Sequence, residues 1–179
     1  IGPMARVYPL APGLSELAEV TLEHLDEPHD TLVGAYASVR SCTWDLERGK
    51  HTDYDFGLDS VEIVSCVPEA KARPDGDGTY LSIAPPASPA EDDGRFAEVM
   101  MYHHMQVIHD YFKEIYGLTS RDEPLAAMTN VAISIEGCEG WTGVENAAYV
   151  PKLGLDYFVE GLDVSGIQGD AILFSGTAD

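Results

Sequence analysis

Three of the six histidines lie close together on one segment and raise the question of a metal site. His103, His104 and His109 fall within residues 95–116, and Asp110 follows the last of them. Neighbouring helical residues point about 100° apart, and residues five positions apart also diverge, so these rings do not converge on one ion. The His-Glu-x-x-His spacing that binds zinc from one helix face is absent. The sequence therefore predicts no metal ligands and no catalytic residues here, with His104 on a buried stripe, hydrogen-bonded, and His103 at its margin.

Two of the three cysteines are candidates for a disulfide. Cys42 and Cys66 each lie in or beside a strand-like run and could be cross-linked between neighbouring strands. Cys138 would then remain as a free thiol or pair outside this chain. A disulfide implies an oxidising compartment, which favours a secreted or extracytoplasmic protein.

Acidic loops raise the question of calcium. The run Asp75-Gly-Asp-Gly is similar to a calcium loop, but an EF-hand requires glycine at its sixth position and glutamate at its twelfth. Those positions hold Tyr80 and Pro86, so a hairpin turn is predicted instead. Calcium remains a candidate ligand of the acidic loops, which contain Asp75, Asp77, Asp92 and Asp93.

One long helix must position the histidines. Residues 95–116 carry apolar side chains at three- and four-residue steps, which predicts an amphipathic helix of about six turns. Asp92 and Asp93 precede it as N-terminal capping groups, and Gly117 follows it as a left-handed C-cap. The helix is expected to pack against a sheet through its apolar stripe. That stripe comprises Phe96, Val99, Met100, Val107, Ile108, Tyr111, Phe112 and Ile115.

The remainder of the chain is typical of strands and loops. Residues 1–30 are expected to be extended and 44–58 to form polar turns, and the proline-rich run 84–94 is typical of a linker. Strand composition covers residues 31–42, 61–67, 80–84, 125–135, 145–150 and 171–174. The predicted fold class is therefore α+β, with a β-rich N-terminal half and one long helix packed on a mixed or antiparallel sheet. The predicted domains are residues 1–93 and 94–179.

The charge balance excludes several classes of partner. Ten basic residues face 31 acidic residues, giving a formal net charge of -21. Such a surface repels nucleic acid and anionic membranes, so neither is an expected partner. The acidic residues are spread along the chain, which is typical of a solvated surface. No apolar run is long enough to span a membrane.

Four segments follow one another in an order known from a peptidase family. They are Tyr102-His-His-Met-Gln-Val-Ile-His-Asp-Tyr-Phe, Pro124-Leu-Ala-Ala-Met-Thr-Asn-Val, Glu145-Asn-Ala-Ala-Tyr and Gly169-Asp-Ala-Ile-Leu-Phe-Ser-Gly. This order resembles the N-terminal catalytic subdomain of the thermolysin-like and fungalysin-like zinc metallopeptidases. There, a long aromatic-rich helix precedes a strand, an edge strand and the run before the zinc helix.

The resemblance implies a substrate-binding edge strand. In the family this strand holds peptide substrate by backbone pairing. Carried over, Asn146 would contact a peptide through its side-chain amide and Ala147 through its main chain, while Tyr149 would form a wall of the cleft. The alternative interpretation is an ordinary edge strand, which the following Pro151 favours, with Asn146 capping a turn.

The zinc site of the family has no counterpart in this sequence. Its two histidines, catalytic glutamate and third ligand all follow the point at which this chain ends. The resemblance thus implies a front part that is inactive alone, with zinc confined to a downstream part as its partner, and with an apolar face left exposed. The alternative is a self-contained acidic β-rich binding or scaffold domain, with calcium as a candidate ligand and no enzymatic activity.

Overall fold

The computed structural model describes residues 2–55, 60–88, 91–119, 122–137, 140–143, 147–150 and 171–175. Across these residues the protein is α+β and rich in strands, which confirms the predicted fold class. The elements are β1 (Met4–Val7), β2 (Ala18–Thr21), β3 (Ala37–Thr43), β4 (Lys50–Asp55), β5 (Ser60–Ser65), β6 (Val67–Glu69), α1 (Arg95–Tyr116), β7 (Leu125–Ile135), β8 (Trp141–Gly143), β9 (Ala147–Val150) and β10 (Ala171–Ser175).

The chain forms two compact units, and each is assembled from separate stretches. The first contains Ile1–Arg40 and Ala70–Leu125, and the second contains Ser41–Glu69 and Ala126–Asp179. The first unit holds the antiparallel β1–β2 ribbon and α1, while most of the larger sheet belongs to the second. The domain boundary after residue 93 stays a prediction.

Local signals at both ends explain the length of α1. The helix spans Arg95–Tyr116, as predicted. At its start, Asp93 Oδ1 accepts the N–H of Arg95 at 3.0 Å. At its end, Gly117 adopts the left-handed conformation (φ 62°) and donates its N–H to the carbonyl of Lys113 at 3.0 Å. A side chain with a Cβ is strained in that conformation, so glycine ends the helix there.

The buried face of α1 differs from the predicted apolar stripe. Its buried residues are Phe96, Glu98, Val99, Tyr102, Met105 and Gln106. The C-terminal part of the predicted stripe is exposed instead, including Val107, Ile108, Tyr111, Phe112 and Ile115. The prediction is wrong for this part because it considered only the spacing of apolar residues. Polar residues of α1 that form hydrogen bonds are buried on the other side of the helix.

Hydrogen bonds to backbone groups explain why polar residues of α1 are buried. The carboxylate of Glu98, which is fully buried, accepts the N–H of Lys71 and that of Ala72, the latter at 2.8 Å. The hydroxyl of Tyr102 donates to the carbonyl of Glu23 at 2.9 Å. These contacts satisfy polar groups that would otherwise make burial of this face unfavourable.

The second unit is built on a mixed sheet that has eight strands among the described residues. Its main path is β4-β5-β7-β10-β9, with β3, β6 and β8 attached to it. The long strand β7 has the predicted bounds, Leu125–Ile135. β10 runs parallel to β7 and antiparallel to β9.

A bulge interrupts the pairing of β7 with β10, close to the point where the partner strands of β7 change. Thr129 and Asn130 stand opposite the single residue Phe174 of β10, where the register shifts. Asn130 has a positive φ of 56°, and its carbonyl accepts the indole N–H of Trp44 at 2.9 Å. Bulges bend a strand and increase its twist. The pairing with β10 continues past the bulge to Val131, and Ala132–Ile135 then pair with β5 and β8.

Two segments differ from the predicted strands. Residues 50–55, expected to lie in polar turns, form β4 and pair with β5 through six residue pairs. Residues 80–84, expected to form a strand, contribute only an isolated bridge from Tyr80 to Ala5 and then turn. The strand β4 is polar throughout, so apolar alternation does not detect it; its partner strand determines its conformation.

The structure joins Cys42 and Cys66 in a disulfide. The two Cα atoms lie 5.4 Å apart, and 24 positions separate the residues in sequence. Both residues are buried, and the sulfur of Met128 lies 3.2 Å from Cys42 Sγ. Cys138 lies outside the described residues.

Replacing Glu98 tests the buried face of α1. In Glu98→Ala, the amides of Lys71 and Ala72 lose a charged acceptor inside the protein. We expect the free energy of unfolding to fall by about 3 kcal/mol, with a smaller loss for Glu98→Gln, which keeps one acceptor oxygen. Urea unfolding followed by circular dichroism measures both. Wild-type stability of the alanine variant would contradict this account of the helix.

Breaking the disulfide tests the cross-link in the second unit. Because it spans 24 positions, its loss in the variant with both Cys42→Ser and Cys66→Ser should lower the free energy of unfolding by about 3 kcal/mol. Reductant should destabilise the wild type and a Cys138→Ser control, but not the double variant. Equal stability of the wild type with and without reductant would disprove the bond.

Candidate functional site

The strand β9 occupies one end of the main path of the eight-stranded sheet. It pairs antiparallel with β10, with Ala147 opposite Phe174 and Val150 opposite Ala171. Within the described ranges β9 has no second partner strand, so one of its backbone edges is unpaired there. An unpaired edge presents N–H and C=O groups that an extended peptide can pair with.

Two of the three predicted peptide-binding residues lie on this strand. Ala147 is its first residue and Tyr149 its third. Because strand geometry repeats every two residues, the main-chain groups of these two face the same edge of β9, and those of Ala148 and Val150 face the other. Asn146 lies outside the described residues, so its contact with a peptide stays a prediction.

The histidines of α1 do not converge. His103 and His104 are half-buried, with ring centroids 5.2 Å apart and planes inclined by 62°. Burial, and secondarily the charge of His104, lowers the pKa of His103 below its ordinary value, so the neutral ring is favoured. His104 was expected at a buried position, but it is only half-buried. In the described part of the chain, no three His, Cys, Asp or Glu side chains are grouped to hold a metal ion.

His109 belongs to a polar cluster that also contains Tyr36, Asp110, Lys113 and Asp122. Its Nδ1 lies 3.1 Å from Asp110 Oδ1, and its Nε2 lies 3.0 Å from Asp122 Oδ1. Lys113 Nζ donates to Asp122 Oδ2 at 2.9 Å and to the hydroxyl of Tyr36 at 3.4 Å. The ring of Tyr36 stacks on that of His109 at a centroid distance of 3.6 Å.

The cluster ties Tyr36 and Asp122, which lie outside α1, to the helix. The hydrogen bond from Lys113, followed by that of His109, lowers the pKa of Asp122 below its ordinary value. The same carboxylate raises the pKa of Lys113. Sequence analysis missed Tyr36 and Asp122. The available signal was the four-residue step from His109 to Lys113. Residues at this spacing are neighbours on one helix face, so one acidic side chain can contact both.

The acidic turn at Asp75 is stabilised from within. Its Oδ1 accepts the N–H of Thr79 at 2.9 Å and that of Asp77 at 3.1 Å, and its Oδ2 accepts the hydroxyl of Thr79 at 2.8 Å. The bonds from Thr79 come first among the causes that lower the pKa of Asp75. The predicted turn is present, although residues 80–84 do not continue it as a strand. Calcium binding by the acidic loops remains a prediction.

No family model, curated protein or solved structure matches this chain. Among the described residues, α1 included, no helix combines the length and the apolar character needed to cross a membrane.

The pair formed by Lys113 and Asp122 gives a direct electrostatic test. In Lys113→Gln, the carboxylate of Asp122 loses its strongest stabilising contact, so its pKa should rise toward the ordinary value. The stabilisation that this carboxylate contributes in the wild type is present above its unfolded-state pKa and is lost as the pH falls through the lowered folded-state pKa. Carboxyl NMR titration measures the shift, and Lys71→Gln is the control. An unchanged Asp122 pKa would contradict the pairing.

Proposed function

We propose that this chain binds an extended peptide along β9 by strand addition, as the substrate-binding part of a secreted zinc metalloendopeptidase-like protein. The observation that carries the proposal is the position of β9 at the end of the sheet path, paired within the described residues with β10 alone. A peptide lying beside it would extend the sheet by one strand. Main-chain hydrogen bonds would supply affinity, and side-chain pockets would supply selectivity.

The order of elements gives a second line of support. The long helix α1 is followed by β7, and β9 precedes β10 in the chain. The motif order that resembles the peptidase family requires the same succession of helix, strand, edge strand and apolar strand. The proposal gives Ala147 a main-chain contact with the peptide, Asn146 a side-chain contact, and Tyr149 a place at the wall of the cleft.

The chain's own residues position a peptide and do not hydrolyse it. Zinc peptidase chemistry needs three protein ligands around an open coordination position and a general base. The sequence contains no His-Glu-x-x-His motif, and the described histidines do not form such a set. Hydrolysis is therefore assigned to a zinc-bearing part that acts together with this chain, and no step through zinc is derived from these residues.

The proposed extracytoplasmic location rests on the disulfide between Cys42 and Cys66. Such bonds persist in oxidising compartments and are rare in the cytosol. The net charge of -21 agrees with peptide substrates that are neutral or basic.

Backbone-methylated peptides test strand addition. The probe is a fluorescent, apolar six-residue peptide, together with versions in which single amide nitrogens are methylated. Pairing along one edge uses only every second amide of the peptide. Methylation at one alternating set should therefore weaken binding at least about tenfold, while methylation at the other set leaves affinity nearly unchanged. Equal effects at every position would contradict strand addition.

Substitution of Asn146 separates peptide binding from turn capping. We expect Asn146→Ala to weaken binding of the same peptide by about tenfold, without a change in the thermal midpoint, because it removes side-chain hydrogen bonds to the peptide. If Asn146 only caps a turn, the midpoint should fall and the affinity should not change. A folded wild-type chain that binds no peptide would instead favour the self-contained acidic binding or scaffold domain.

A further inference from the structure

The C-terminal half of α1 leaves a continuous apolar surface in solvent. Seven large hydrophobic residues, six in this half of α1 and Leu118 just beyond its end, are each between 46% and 63% exposed. They are Val107, Ile108, Tyr111, Phe112, Ile115, Tyr116 and Leu118, and we call them the α1 apolar face. Apolar surface of this extent usually marks an interaction site.

The α1 apolar face has the geometry that accepts a second helix. Ile108, Phe112 and Ile115 follow one another at four- and three-residue steps, so they form a straight ridge along the helix. Gln106, which is buried, accepts the N–H of Glu23 on the side of α1 that packs inside its own unit. A free ridge of this kind interdigitates with apolar side chains at the same spacing on a partner helix.

Three aromatic rings on this face can accept cations. The ring centroids of Tyr111 and Phe112 lie 5.5 Å apart, and each lies 5.8 Å from the ring of Tyr116. The faces of such rings carry negative potential that attracts Lys and Arg side chains. The cluster therefore favours a partner that carries cationic as well as apolar groups.

Acidic residues line one margin of the α1 apolar face. Asp110 and Glu114 are four positions apart on the helix, and Glu114 is exposed. The one lysine of this half, Lys113, already donates to Asp122 at 2.9 Å. The margin is consequently negative, in a chain whose total charge is -21.

Charge selects among the possible occupants of the face. A second copy of the chain would bring another charge of -21 against the first and offers only ten basic residues in all. An anionic membrane is repelled in the same way. We propose that the α1 apolar face docks a basic amphipathic helix of a partner protein, with apolar residues on the ridge and Lys or Arg beside the acidic margin. This site is independent of peptide binding at β9.

A designed helix provides the probe. It is a fluorescent peptide of about five turns made of Leu and Lys in an amphipathic pattern, and the comparison peptide has Glu in place of Lys. We expect the wild-type chain to bind the Leu/Lys peptide and not the Leu/Glu peptide. The variant with Phe112→Gln and Ile115→Gln should bind the Leu/Lys peptide at least about tenfold more weakly. A matched control with Leu10→Gln and Leu14→Gln, at exposed apolar positions in a different segment, should bind normally.

A charge reversal keeps the test decisive if the double variant is poorly folded. Glu114 is exposed, so Glu114→Lys should fold, bind the Leu/Lys peptide more weakly and begin to bind the Leu/Glu peptide. Equal affinity of all variants for the Leu/Lys peptide would overturn the proposal, since overall charge alone would explain binding. A concentration-dependent doubling of mass that the Phe112 and Ile115 pair abolishes, or binding to neutral lipid vesicles by the same face, would also overturn it.

Discussion

The backbone of β7 is the constraint on which the second unit depends. Its first part pairs with β10, and its last part pairs with β5 and β8. The bulge at Thr129 and Asn130 lies just before the change of partner strands, and the indole N–H of Trp44 donates to the Asn130 carbonyl there. Because β10 is aligned on β7, and β9 on β10, the register of the predicted peptide-binding edge is ultimately set by β7.

Elements with complete local signals could be predicted from the sequence with their correct bounds. The helix α1 ends at a left-handed glycine, and β7 is a long apolar run, so both have the expected limits. The strand β4 could not be predicted, because its polar residues become a strand only through pairing with β5. The prediction for residues 80–84 was wrong in the opposite sense. Their apolar composition predicted a strand, but they form an isolated bridge followed by a turn, where Tyr80 and Ile83 are buried.

The face of α1 shows why apolar periodicity can select the wrong side of a helix. Glu98 is buried because backbone amides from a distant loop meet its carboxylate, and no pattern within the helix reveals such partners. The α1 apolar face has the residue spacing of a core stripe in the sequence, although it is exposed to solvent in the structure. Likewise, the aspartate that joins His109 and Lys113 lies in the following loop, so its role depends on a turn that composition does not specify.

The position of β9 could be predicted from the sequence because Pro151 and nearby glycines favour an edge strand. Among the described residues, β9 lies at the end of the sheet path. Its function is tested most directly by amide hydrogen exchange of the wild-type chain with and without the apolar six-residue peptide. We expect slower exchange at one alternating pair of amides within Ala147–Val150 when the peptide is bound. Bound peptide with unchanged exchange throughout β9 would contradict it.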